Sequence, residues 1–448
     1  MIGKTRGKIA ESAKPYAALL LFALAVLLFL SVLRASVFTE VSEDKKIWFE
    51  LSFLLLAAIT AEMLVVHLKQ PFVMVLLLVG VAVSPSMLAA LYPYVQSAAS
   101  VFSIALPQTA PVLVQTDQLV MIFAKLGAIL LLFRIGMHSE TKKIFNSRNF
   151  AIAALGVVIP FLGGYLFAIA GGHDIYYAMF LGAALTATSV GVTVAVLEEL
   201  RVMQSEMAQA LLGAAVIDDI LALLVLSFVQ SSPAGGSVIG AIAGVAATAF
   251  VFIAGGILLG RFLVLNYFDP MISGNSKKMG FLAMLACLLF YAYVAEFIGL
   301  SAIVGAFVAG IAMNYGRKVG ELKEMFFPLE ALFTPVFFIS LGLLIDVNAL
   351  AANIMPILAI TLIAIATKII GCGAGALLTG SRQKEALAIG VGMVPRGEIA
   401  LIIALYGLTA LTPSGVPVLG AAEYAIIASM AFLTTIVAPP LLSMAAKR

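Results

Sequence analysis

Apolar runs long enough to cross a membrane recur down the whole chain, and this repetition constrains the fold more than any other feature. A bilayer's hydrocarbon core is about 30 Å thick, so about 20 apolar residues in a helix cross it. Such stretches are predicted at residues 15–37, 46–67, 71–92, 118–137, 148–170, 174–197, 205–229, 237–266, 277–298, 299–316, 327–346, 353–379, 383–409 and 418–445. The split between 277–298 and 299–316 rests only on the residues around Ile298 and Gly299. The residues are 63% hydrophobic and only 11% charged, where a soluble domain carries about 25% charge. The expected fold class is therefore an all-α polytopic membrane protein with about 14 transmembrane helices. One membrane domain and no soluble regulatory domain are expected. The net charge of +3 is too small to suggest a nucleic-acid surface.

Loop charge orients these spans. With the N-terminus placed in the cytoplasm, the inner segments collect nineteen of the 26 Lys and Arg, while the outer loops hold Arg34, Lys45 and Lys46. This satisfies the positive-inside rule and supports an even number of spans with both termini cytoplasmic. The first span follows a basic start, as a signal peptide would, but lacks a small-x-small cleavage site, so a retained helix is favoured. The outer loop 93–117 is long and nearly uncharged and has room for a short piece lying on the membrane. Cys287 and Cys372 read as small core residues. His67, His138 and His173 have no metal-ligand spacing, so neither disulfide nor structural metal is expected.

Two adjacent carboxylates, Asp218 and Asp219 in "GAAVIDDILALLVL", interrupt this apolar background. One Asp at a helix centre costs about 2.5–3.5 kcal/mol on insertion, so the pair marks an ion or proton site facing the protein interior. A buried pair fixed by a basic partner, with no transport role, is the bland alternative. Adjacent helical residues point about 100° apart, so one carboxylate can face a cavity while its neighbour meets another helix. Lys368, deep inside "AITLIAIATKIIGCGAGALL", is too far from either end to snorkel. It is the predicted partner of Asp218.

Two spans carry helix breakers. Thr186, Thr188, Ser189, Gly191 and Thr193 lie mid-span in one; Pro395, Arg396, Gly397 and Glu398 lie mid-span in the other. Proline removes a backbone donor and glycine eases unwinding. Unwound backbone at this depth is tolerated only within protein or around a cavity. The segments 148–229 and 353–445 each give three helices with the middle one broken, the pattern of a transporter site built on inverted repeats.

In order along the chain, "TATSVGVT", "GAAVIDD", "GLSAIVGAFVAG", "PVFFISLGLLID", Lys368 and "GVGMVPRGE" resemble the sodium/proton antiporters of the monovalent cation:proton antiporter-2 family, electrogenic NapA type. The resemblance covers about residues 46–446. It implies an inverted-repeat antiporter fold with two crossing discontinuous helices, assembled as a homodimer in the plasma membrane. Residues 148–229 and 353–446 would be the ion-transporting core, 46–137 and 277–346 the dimerisation side, and 237–266 a linker helix. Residues 1–45 would hold an added helix. Asp219 would be the main cation and proton carrier, with Asp218 paired to Lys368. The Asp–Asp–Lys set implies electrogenic exchange. Lys125 and Arg134 depart from the family pattern on the dimer side; Arg134, near a span end, is expected to snorkel.

The mechanism expected from this is competition between sodium (or lithium) and protons for Asp219. Burial favours the protonated carboxyl, and a small hard cation takes oxygen ligands from Asp219, Asp218, Thr188, Ser189, freed carbonyls and water. The second proton rides either on Lys368 or on Asp218, and the sequence leaves both open. Arg396 and Glu398 are expected to neutralise the half-helix ends and bond each other. No cofactor beyond the transported ions, no nucleic-acid partner and no enzymatic activity are expected. Potassium/proton exchange is the first alternative. An intramembrane aspartyl protease is remote, because adjacent aspartates lack its spacing and Asp346 lies at a helix end.

Overall fold

Without water to satisfy them, backbone groups in lipid must bond within helices or closed barrels. Among the described residues, the long apolar segments of the computed structural model are helical apart from short breaks. It describes residues 43–68, 71–101, 108–110, 112–114, 118–138, 145–231, 238–268, 277–316, 322, 324–412 and 414–446. The predicted span 15–37 lies outside the described residues.

In chain order the helices are α1 (Glu43–Leu68), α2 (Phe72–Ala82), α3 (Pro85–Val101), α4 (Gln118–Met137), α5 (Ser147–Ala170) and α6 (Ile175–Ala184). There follow α7 (Val190–Glu199), α8 (Glu206–Ser231), α9 (Val238–Leu263), α10 (Lys277–Phe297), α11 (Ala302–Met313) and α12 (Phe327–Leu343). The last are α13 (Val347–Ala352), α14 (Ile354–Leu378), α15 (Gln383–Gly392), α16 (Glu398–Thr409) and α17 (Ala421–Ala446). Among the described residues eight helices are long and apolar enough to cross a membrane, or nine if the bent pair α2 and α3 makes one span. This is a multi-pass membrane protein.

One boundary differs from the sequence reading, and the split at Ile298–Gly299 falls where the chain turns between α10 and α11. The predicted span 71–92 is bent by 56° between α2 and α3. Pro85 cannot donate a backbone bond there, and Ser84 Oγ accepts from Met87 N at 3.2 Å. The helix then runs on to Val101, into the predicted loop 93–117. At the other uncertain point, Gly299 adopts φ +84, a left-handed geometry that glycine tolerates best. There Leu300 N reaches back to Ala295 O at 2.8 Å, and Ser301 caps α11.

The chain forms two compact units, residues 1–127 with 332–352 and residues 128–331 with 353–448. In the first, α2 crosses the end of α12 at paired glycines. A Cβ on Gly80 would overlap the Ile339 carbonyl, and one on Gly342 the Leu77 carbonyl. Ser86 Oγ donates to Ile345 O at 2.7 Å beside this crossing. In the second, the most extensive contact is α5 with α14, where Gly371 and Gly375 lie against the backbone of Leu155 and of Ala151 and Ile152. Helix α8 packs on α5, and α17 packs on α14, α15 and α16. Gly136 of α4 and Gly310 of α11 repeat the paired-glycine crossing, closing on the Phe307 and Phe133 carbonyls.

Arg134, near the end of α4, forms ion pairs with Glu198 at the end of α7 and Glu330 in the first turn of α12, partners the sequence reading did not name. Its planar fork suits two carboxylates at once.

Overpacking a close helix crossing costs about 1–3 kcal/mol, sometimes more. Gly310→Val is therefore expected to lower the melting temperature of the purified protein in detergent. Gly255→Ala, where a Cβ meets nothing within 4 Å, is expected to leave it unchanged or raise it. Equal effects would show that the crossing is not tight.

Candidate functional site

Two discontinuous helices meet at their breaks. The first break, Leu185–Ser189, separates the ten-residue helices α6 and α7; the second, Met393–Gly397, separates α15 and α16. In the first, the Thr186 hydroxyl turns back to Ala183 O at 2.7 Å and Ser189 is extended. In the second, Pro395 has no amide to continue α15. The freed backbone groups satisfy one another: Ser189 N donates to Pro395 O at 2.7 Å. The Thr193 hydroxyl donates to Gly392 O at 2.6 Å, and the Thr188 hydroxyl makes a longer contact of 3.4 Å with Met393 O. Gly397 lies so close to Ser189 that a Cβ would meet its side chain at 2.9 Å.

Beside the first break lies a fully buried ion pair. Lys368 and Asp218 are both 0% exposed. Lys368 Nζ donates to Asp218 Oδ1 at 2.8 Å, to Gly156 O at 2.8 Å and to Thr186 O at 2.7 Å. An ammonium has three hydrogens, and each has an acceptor. Burying a charge is costly unless it is paired and hydrogen-bonded, and this one is both. The Thr188 hydroxyl adjoins the same Asp218 carboxyl. Asp219, the next residue of α8, is also buried, at 5% exposed.

Arg396 sits at the meeting of the breaks, 1% exposed. Its guanidinium donates to Ala187 O at 2.8 Å and to Ala364 O of α14 at 3.0 Å. Its backbone is pinned by α17, whose Thr434 hydroxyl accepts from Arg396 N at 3.2 Å and whose Thr435 hydroxyl donates to Arg396 O at 2.6 Å. The Glu398 side chain lies outside the described residues. Ser189 enters the assembly through its backbone amide. Gly156, Thr434 and Thr435 were not singled out from sequence; the adjacent mid-span threonines were a visible signal. Asp346 caps α13, accepting from Asn348 N at 2.9 Å, which gives it a structural role.

Residues 51–448 match the family model described as sodium/hydrogen exchanger, transmembrane. The chain belongs to the sodium/hydrogen exchanger family. This exchanger is 34% identical to the Na(+)/H(+)-K(+) antiporter GerN of Bacillus cereus over 88% of its own length and 95% of GerN. It is 37% identical to the high-affinity Na(+)/H(+) antiporter NhaS3 of Synechocystis over 72% of its length and 71% of that protein. Its fold resembles the sodium proton antiporter MjNhaP1 from Methanocaldococcus jannaschii, with TM-score 0.63 and 17% identity across 90% of this chain and 99% of that one.

In this exchanger, Lys368→Met leaves the Asp218 carboxylate buried without a cation, a loss of about 3–5 kcal/mol. Lys368→Met combined with Asp218→Leu removes both charges and is expected to cost clearly less. Melting of the two variants in detergent tests this. A double variant no more stable than the single one would mean that the pair does not hold charge against charge.

Proposed function

We propose that the chain is a secondary active transporter that exchanges sodium, or lithium, for protons by alternating access. The observation that carries this is Asp219 buried one residue beyond a carboxylate already committed to Lys368. With Asp218 held against Lys368, the adjacent buried Asp219 is the carboxylate that binds the mobile cation in this reading. A proton and a sodium ion then compete for it, and occupancy by one excludes the other. Sodium takes oxygen ligands from Asp219, Asp218 and the Thr188 and Ser189 hydroxyls. Sodium binding opens the Lys368–Asp218 pair, and the second proton leaves from Lys368 or is carried by Asp218. Two protons against one sodium ion move net charge, so exchange is electrogenic. Arg396 holds the breaks together and does not carry the ion; Glu398 offsets the adjoining helix ends.

Residues 148–229 and 353–446 form the moving core in this reading. The mutual packing of α5 to α8 and α14 to α17 supports it. Residues 46–137 and 277–346 form the static side of a homodimer, with 237–266 linking the two. The protein resides in the plasma membrane with both termini cytoplasmic. No cofactor takes part. Potassium is the second reading, favoured by the name of GerN, which includes that ion.

Proteoliposomes with an internal pH dye and a voltage dye test this. Sodium or lithium is expected to drive proton flux with a voltage signal, and Asp219→Asn to abolish both. A response to potassium alone would select the second reading, and flux without voltage would remove electrogenic exchange. Full flux in Asp219→Asn would sink the scheme.

A further inference from the structure

The Gly156 carbonyl that receives Lys368 lies in the middle of α5. A carbonyl there is normally occupied by the amide four residues on. Four residues on from Gly156 is Pro160, inside the same helix. Proline has no amide hydrogen, and its ring crowds the carbonyl four residues back. The Gly156 oxygen is thus released from the helix at the depth of the site. A released carbonyl in a membrane helix needs a donor from a neighbouring element, and Lys368 of α14 supplies it at 2.8 Å.

Residue 156 itself opens the way. A Cβ there would overlap Cys372 Sγ, with Lys368 Nζ at 3.7 Å and Asp218 Oδ1 at 3.8 Å. Glycine thus lets α14 lie close enough for the ammonium to reach the α5 backbone. The other backbone acceptor, Thr186 O, is free because it lies in a helix break. Lys368 therefore bonds two carbonyls, each freed by a different interruption of a helix. We propose that Pro160 is a positioning residue of the transport site: by withholding one amide, it presents the Gly156 carbonyl to Lys368 and fixes the ammonium against Asp218.

This rests on the antiporter reading, in which sodium binding opens the Lys368–Asp218 pair. Pro160→Ala restores the amide, which closes on Gly156 O and competes there with the ammonium, weakening that bond. The paired state weakens and opens more readily. The half-saturating sodium concentration for proton flux is expected to fall about tenfold, the scale of one hydrogen bond to a charged group. Alanine also favours the helix, so the melting temperature is expected to hold or rise.

The decisive comparison changes one atom. Lactic acid placed at position 160 by nonsense suppression has the alanine side chain but an ester oxygen in place of the amide. It restores no donor and lacks the proline ring. The ester chain is expected to keep the parent's half-saturating sodium, and Pro160→Ala to differ from both. Alanine and ester chains that respond alike would overturn the proposal, since the ring and not the missing amide would then matter. A Pro160→Ala chain indistinguishable from the parent would also overturn it. Should the parent show no flux driven by sodium, lithium or potassium, the antiporter reading fails first and the proposal falls with it.

Discussion

One ammonium at membrane depth governs the arrangement around it. Lys368 arrives on α14 and must find an acceptor for every hydrogen, because water cannot serve it there. It takes a carboxylate from α8, a carbonyl from α5 and a carbonyl from the break after α6. Those three demands fix where four elements stand. They account for the tight α5–α14 contact, in which Gly371 and Gly375 bring the helices together. Any sideways shift of α14 would forfeit at least one of the three bonds, and each is stronger for involving a charged donor.

The broken helices follow the same logic from the backbone side. A helix interrupted inside the membrane exposes amides and carbonyls that need partners. The two breaks answer each other through Ser189 and Pro395, and through Thr193 and Gly392. Arg396 then ties both to α14, and the threonine pair of α17 holds Arg396. Polar side chains that look anomalous in an apolar sequence become the means by which unwound backbone is kept in place.

Much of this was legible in the chain, and the reason is the solvent. Lipid punishes each misplaced polar group, so Asp218, Asp219, Lys368 and Arg396 stood out against a uniform background. Hydropathy placed the helices, and proline and threonine placed the breaks. What escaped was contact between distant positions. Arg134 lies 64 residues from Glu198 and 196 from Glu330, and no local pattern joins them, so Arg134 read as a residue reaching for the surface. The bend at Ser84 escaped although Ser84, Pro85 and Ser86 mark it, because the apolar run resumes on both sides. The spacing of Gly156 and Pro160 was in plain view, but its meaning needed the neighbour that takes the freed carbonyl.

The two buried cations differ in a way that separates their work. Among the described residues the Arg396 guanidinium bonds two backbone carbonyls, and its own backbone is pinned on both sides. Arginine keeps its proton under all ordinary conditions, so this residue suits a permanent tie. Lys368 bonds a carboxylate as well as two carbonyls, and a buried lysine is able to release its proton. In the proposed exchange, its bond to Asp218 is the contact that an arriving cation replaces, because a cation competes for a carboxylate directly. Under the proposed mechanism, exchanging the two side chains would put the fixed charge where change is needed and the labile one where the helices are joined. The placement of lysine at 368 and arginine at 396 then lets a rigid crossing adjoin the ion pair that the proposal has sodium open.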